Sequence, residues 1–440
     1  MKKTVTASRL CLVMATLLAS QVLAGEPLLP SQAPQQHLGA ASCAGSTCHG
    51  AGSSSQGSSV MQNEFLTWER QDAHAKAYKA LQSEAGRRIA ANLGLASATG
   101  PACTNCHADS VPAALQGKRY RLSEGVSCEA CHGGAEKWLG PHITGVSTQA
   151  TLLAAGSASG YSPAARGRLC LSCHQSSEER PATHRLFGAG HPPLNRFELD
   201  TYTATQPAHF RVDADYRKRK VVASSARIWA AGQVQAASAY LDELLSARFA
   251  QHGAFPELSL YDCDACHHPM RSPRWNAGLG GDLEPGSVRL ADTSLTLVGH
   301  LVGAMAPKSD VNWKQQLEAL RKAGTGSVGG VKDSAGQLKS QLAGLKPLLS
   351  EHEPSTTEIQ ALLGLMVKDA ESRTAGSYLH AAQTTMAVAA ISNGRPGSSS
   401  AAWGKGVDAL FKATDSAADY DPAAFRAALK SLATQIRLIQ

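Results

Sequence analysis

Ten of the eleven cysteines fall into five pairs, and a histidine follows each pair at once. Cys103 and Cys106 precede His107, Cys128 and Cys131 precede His132, Cys170 and Cys173 precede His174, and Cys263 and Cys266 precede His267, all as C-x2-C-H. Cys43 and Cys48 precede His49 with four residues between the thiols instead of two. Thiols held this close can add across the vinyl groups of a porphyrin while the adjoining imidazole reaches the iron. The pattern therefore points to five covalently bound haem c groups. A four-thiolate zinc site would leave five following histidines unexplained. A thioredoxin-like centre uses C-x-x-C once on a βαβ scaffold, and short local disulfides would remove little chain entropy.

A low-spin iron needs a second axial ligand, and eleven of the sixteen histidines remain once the five proximal ones are set aside. His74 lies in a stretch from Phe65 through Tyr78 that reads as one amphipathic helix. His142 follows Trp138 and Gly140-Pro141, and His184 and His191 flank Leu186 to Gly190. Pro192 and Pro193 stiffen the chain after His191. His209 sits in Gln206-Pro207-Ala208, and His268 directly follows a proximal histidine, so it points elsewhere. His37, in a Pro/Gln-rich stretch, and His300, His352 and His380, beyond the last motif, read as structural or solvated; His252 is undecided. Met270 stands two residues past the competing His268 and does not read as a ligand.

The elements that must position these groups read as follows. Residues 1–24 form a signal peptide, with Lys2, Lys3 and Arg9 ahead of an apolar run from Leu10 to Ala19. Cys11 leaves with it. That run is too short to span a bilayer, which takes roughly 20 residues, and so is Leu295 to Ala306 with His300 inside it. The protein is expected in the periplasm or outside the cell, without a transmembrane segment after cleavage. Residues 25–288 form the haem domain, with little regular structure between helices, loops over 25–41 and 50–60, and a long helix from Ala223 to Phe249. Residues 289–440 carry no cysteine and read as a helical bundle. Its helices are expected over Val311–Ala323, Val331–Lys346, Thr356–Ser392, Ala401–Thr414 and Pro422–Leu438, in a mainly supporting role. The fold class is mostly α.

The chain resembles the cytochrome c-554 family of bacterial multihaem cytochromes over roughly Ala41 to Trp275. The resemblance rests on SCAGSTCHG at Ser42–Gly50, NEFLTWERQDAHAKAYKAL at Asn63–Leu81 and GVSCEACHGGAEKWLGPH at Gly125–His142. It continues in HRLFGAGHPPLNRFELD at His184–Asp200 and FPELSLYDCDACHHPM at Phe255–Met270. It implies a mostly helical fold organised by haem contacts. It also supports His74, His142, His184, His191, His209 and His268 as the pool of distal ligands, six candidates for five places. No C-x2-C-K motif signals the lysine-ligated haem of the pentahaem nitrite reductases, and nothing matches the tyrosine-crosslinked haem of hydroxylamine oxidoreductase.

Electron transfer between redox proteins through bis-histidine haems is the favoured reading, because six-coordinate iron cannot bind substrate without losing a ligand. The alternative is an oxidoreductase with one five-coordinate haem acting on a small nitrogen or sulfur species. A third reading makes the chain an assembly subunit, attached through its last 150 residues. The charge of +7 and pI near 8.8 belong to the precursor without cofactor. Cleavage removes three positive charges, and each ferric haem with two ionised propionates adds about −1. A nucleic-acid partner is therefore not implied. Only 5% of residues are aromatic, and porphyrins would supply the missing flat apolar surfaces.

Overall fold

The computed structural model describes residues 28–145, 148–157, 162–194, 196–250, 256–267, 287–372, 377–394 and 400–436. Residues 1–24, expected to form a signal peptide, and His252, His268 and Met270 lie outside the described residues. Among those described the fold is mostly α, with no strand and only two isolated bridges, His37 to Gln116 and Tyr261 to Leu290.

Short helices deliver the motif histidines. The helices Pro101–His107, Cys128–His132 and Pro163–His174 each end on the imidazole residue, and Cys263–Cys266 ends one residue before His267. Pro101 and Pro163 take the first turn, where a missing N–H is no loss. Ser162 accepts a hydrogen bond from the Ala165 N–H, and Asp262 accepts one from Asp264. Past the histidine the chain turns away at once, extended at Ala108 and Gln175 and through Gly133 at φ +81°. The first motif is a turn rather than a helix, in keeping with its wider spacing. Its approach passes Gly39 (φ +93°), where an added Cβ would fall 2.4 Å from the Arg119 carbonyl oxygen.

The Ser225–Leu245 helix lies at the centre of the molecule. It packs against Pro163–His174 on one side and against the Thr293–Met305, Val328–Glu351 and Tyr378–Ser392 helices on others. Trp229, Ala230, Val234, Leu241 and Leu244 are fully buried there. They belong to one apolar cluster that runs on through Leu297, Trp313, Leu338 and Ile391 to Leu432, across position 289 without a break. The motif-bearing half has no such core: its apolar cluster among the described residues is Leu81, Ala90 and Ala98, with Tyr78 and Cys103 beside it.

The expected C-terminal helices are observed as Pro307–Gly324, Val328–Glu351, Ala401–Ala413 and Pro422–Ile436. The stretch expected as one helix over Thr356–Ser392 is two, Thr356–Ser372 and Tyr378–Ser392. The amphipathic helix expected from Phe65 to Tyr78 is also broken. It runs Glu64–Gln71, and a 3-10 turn at His74–Lys76 precedes a new helix over Ala77–Leu81. The break has a local cause, since Asp72 is extended (ψ 132°) and its carboxylate accepts from both the backbone N–H and the ring of His74. No helix among the described residues is long and apolar enough to cross a membrane.

Candidate haem-binding sites

Four histidine pairs face one another at nearly the same separation. Ring centroids lie 6.1 Å apart for His49 and His142, 6.1 Å for His74 and His174, 6.2 Å for His107 and His191, and 6.2 Å for His184 and His267. Each pair joins one motif histidine to one member of the distal pool. About 6 Å is the distance two imidazoles adopt when one metal ion sits between them, bonded to each at about 2 Å. The ring planes are near parallel in the first pair (6°), inclined at 28° in the last and crossed at 87° and 90° in the middle two. His132 has no such facing ring among the described residues, and of the charged groups around it His209 has the largest effect. Burial first, then the charge of His209, pushes His132 down to about 4.

In five of these histidines Nδ1 is already engaged. His49 Nδ1 donates to Glu64 Oε2 at 3.0 Å and His74 Nδ1 to Asp72 Oδ1 at 2.9 Å. His107 Nδ1 donates to the Ala77 carbonyl at 3.0 Å, and His191 Nδ1 to that of Pro192 at 2.8 Å. For His209 the acceptor is the Pro207 carbonyl, at 3.3 Å. Acceptors at Nδ1 fix the tautomer that leaves Nε2 with its lone pair free, as metal-binding histidines require. The carboxylates also set the charge. The Glu64 bond raises His49 and the Asp72 bond raises His74, while burial lowers His107 and His142 and takes His174 to about 4.

The motifs meet in twos. The thiol of Cys43 contacts that of Cys128, and the thiol of Cys106 contacts that of Cys173. Sites one and three, and sites two and four, are thus neighbours. Cys131 also feels Cys170 and Cys173, which brings the third site near the fourth. His174 and Cys263 line one pocket with Phe187, Leu379 and Gln383, so the fifth site borders the fourth. That pocket is walled on one side by the Tyr378–Ser392 helix. Pairs of thiols beside projecting imidazoles, a facing ring at metal-bridging distance and a thin apolar core together fit haem c.

Residues 42–133 match the family of cytochrome c554 and c-prime. The match covers the first three motifs, about a fifth of the chain, and supports a c-type cytochrome whose chemistry is electron transfer by covalently bound haem. No curated protein and no solved structure matches the chain.

Some participants were not visible in the sequence. Glu64 and Asp72 carry no motif, although each precedes a histidine or follows one within fifteen residues. His37, expected to be structural or solvated, is completely buried, and its Nδ1 contacts Asp109 Oδ2 at 2.8 Å. Asp109 also accepts from Ser127 Oγ at 3.0 Å. Glu129, inside the third motif, accepts backbone N–H groups from Leu38, Gly39 and Ala135 at 2.6–2.7 Å. His37, Asp109 and Glu129 could offer ligand atoms within 4.8 Å of one another, but these bonds occupy the Glu129 oxygens. The trio anchors the segment that enters the first motif. His300 and His380 are buried as well, both directed at Asp369 Oδ2, at 3.7 and 3.1 Å.

Proposed function

We propose that this protein is an exported pentahaem cytochrome that passes electrons between redox proteins in the periplasm. Cys43 and Cys48, Cys103 and Cys106, Cys128 and Cys131, Cys170 and Cys173, and Cys263 and Cys266 would attach the five groups. The axial pairs would be His49 with His142, His107 with His191, His132 with His209, His174 with His74, and His267 with His184. His268 is the member of the pool left over. Bound haem c supplies a one-electron Fe(III)/Fe(II) couple.

The rest is the work of the chain. The histidine pairs would hold both axial positions and so keep small molecules off the iron. Glu64 and Asp72 orient their imidazoles and strengthen them as donors, which favours the ferric state. The thiol contacts between motifs keep neighbouring sites close, so that electrons need no diffusing carrier inside the protein. The observation that carries this reading is the four facing imidazole pairs at 6.1–6.2 Å.

One observation favours a second reading. Among the described residues, His132 alone of the motif histidines has no facing ring at that distance, and His209 reaches it only through its charge. An iron open at that place would make the protein an oxidoreductase for a small nitrogen or sulfur species, fed by the other four. A low-temperature EPR spectrum of the oxidised protein separates the two. The carrier reading expects low-spin signals only and no change on adding cyanide. A high-spin signal that cyanide converts would contradict it, and Cys128/Cys131 would then be the site to examine.

A further inference from the structure

The chain has a single run of four consecutive cations, Arg217-Lys218-Arg219-Lys220. It closes the Ala214–Arg219 helix, which Asp213 caps by accepting from the Tyr216 N–H. The Tyr216 ring stacks on Phe210 at 5.3 Å and 17°, and Phe210 stands edge-on to His209 at 6.2 Å. Lys220 Nζ lies 5.3 Å over the outer face of this ladder, on Tyr216. Its charge is felt at His132, as is that of His209. Arg211 ties the segment down by donating to Ser55 O and Ser54 Oγ, in the loop after the first motif. At the surface Arg217 and Lys218 are exposed, next to Phe210 (42% exposed), Val212 (41%) and Val221 (85%).

An apolar centre with a cationic rim is the anatomy of a weak, fast docking face, and its sign selects a partner of opposite charge. Position adds a second argument. The ladder of His209, Phe210 and Tyr216 gives the third site a short aromatic route to this part of the surface. We propose that this face docks a small acidic redox protein, which exchanges electrons through the site of Cys128 and Cys131. The inference rests on the haem reading above. In each encounter one electron leaves the partner's cofactor and one ferric iron becomes ferrous.

Flavodoxin hydroquinone, a small acidic one-electron donor, and reduced methyl viologen, a small cation, are suitable probes. Each donor would be mixed with the oxidised holoprotein in a stopped-flow instrument at low and high salt. The charge-reversed variant Arg217→Glu/Lys218→Glu should react about tenfold more slowly with flavodoxin at low salt, with the gap closing at high salt. Its rate with methyl viologen should hold or rise. The milder Arg217→Gln/Lys218→Gln should fall between. A flavodoxin rate equal to wild type overturns the proposal, and so does an equal loss for both donors at every salt. Haem content is measured on the same samples. A wild type without haem defeats the underlying reading, whereas unchanged rates in fully loaded variants defeat only the docking face.

Discussion

At the scale of single residues, the decisive feature is what stands on each side of an imidazole. The motif histidines and the candidates for the distal places are named by cysteine spacing and local sequence. Their pairing is not. His74 lies 100 positions before His174, and His184 lies 83 before His267, so only the folded chain brings them together. The acceptors were equally hidden, since Asp72 differs from any other aspartate only by its bond to His74. That bond carries a prediction. Asp72 is held well below the usual carboxylate range despite its burial, through bonds from His74 and Gln206, so it stays anionic. A negative charge hydrogen-bonded to an axial imidazole stabilises ferric iron. Asp72→Asn should therefore move the midpoint potential of one haem to more positive values and leave the others in place, as read by spectroelectrochemical titration. A titration curve identical to wild type would remove Asp72 from that role. At His142, an alanine should turn one haem high-spin and able to bind cyanide.

At the scale of elements, the Ser225–Leu245 helix links the motif-bearing half to the cysteine-free helices. Its helical character was legible from composition, within two residues at its start, although it ends at Leu245 and not at Phe249, because Ser246 is extended. Its partners were not, because thirteen of its residues are buried, Gln233, Gln235 and Glu243 among them, so polarity marks no single buried face. Leu241, fully buried, should cost about 2–5 kcal/mol when cut to alanine. Because the apolar cluster crosses position 289, the loss should appear as one lowered transition for both halves in thermal unfolding. Two separate transitions, only one of them shifted, would favour independent domains.

The bundle also holds a pH-dependent element. Burial, aided by His380, Lys314 and Arg321 against the pull of Asp369, takes His300 down to about 4. The unfolded chain binds that proton near 6.5, so between the two values the unfolded state takes up the proton and the folded state does not. Stability is thus intact above pH 6.5 and declines as pH falls towards 4, by roughly 3 kcal/mol from this group. His300→Gln should flatten that part of the stability profile. A variant with the wild-type slope would assign the acid sensitivity elsewhere.

At the scale of the whole molecule, a well-packed region and a region with almost no side-chain core stand side by side. From the central helix onward the chain builds an ordinary side-chain core of Leu, Trp, Ala and Ile. Around the motifs the described residues build almost none, and the motif cysteines there are half-buried or exposed. The low aromatic content hinted at this, but composition averages over both halves and cannot say where the deficit lies. The most direct test is the haem-to-chain ratio of the purified protein, obtained by pyridine haemochrome assay against quantitative amino-acid analysis. Five haem c per chain is the expected result, and any reproducible value below five would contradict the account.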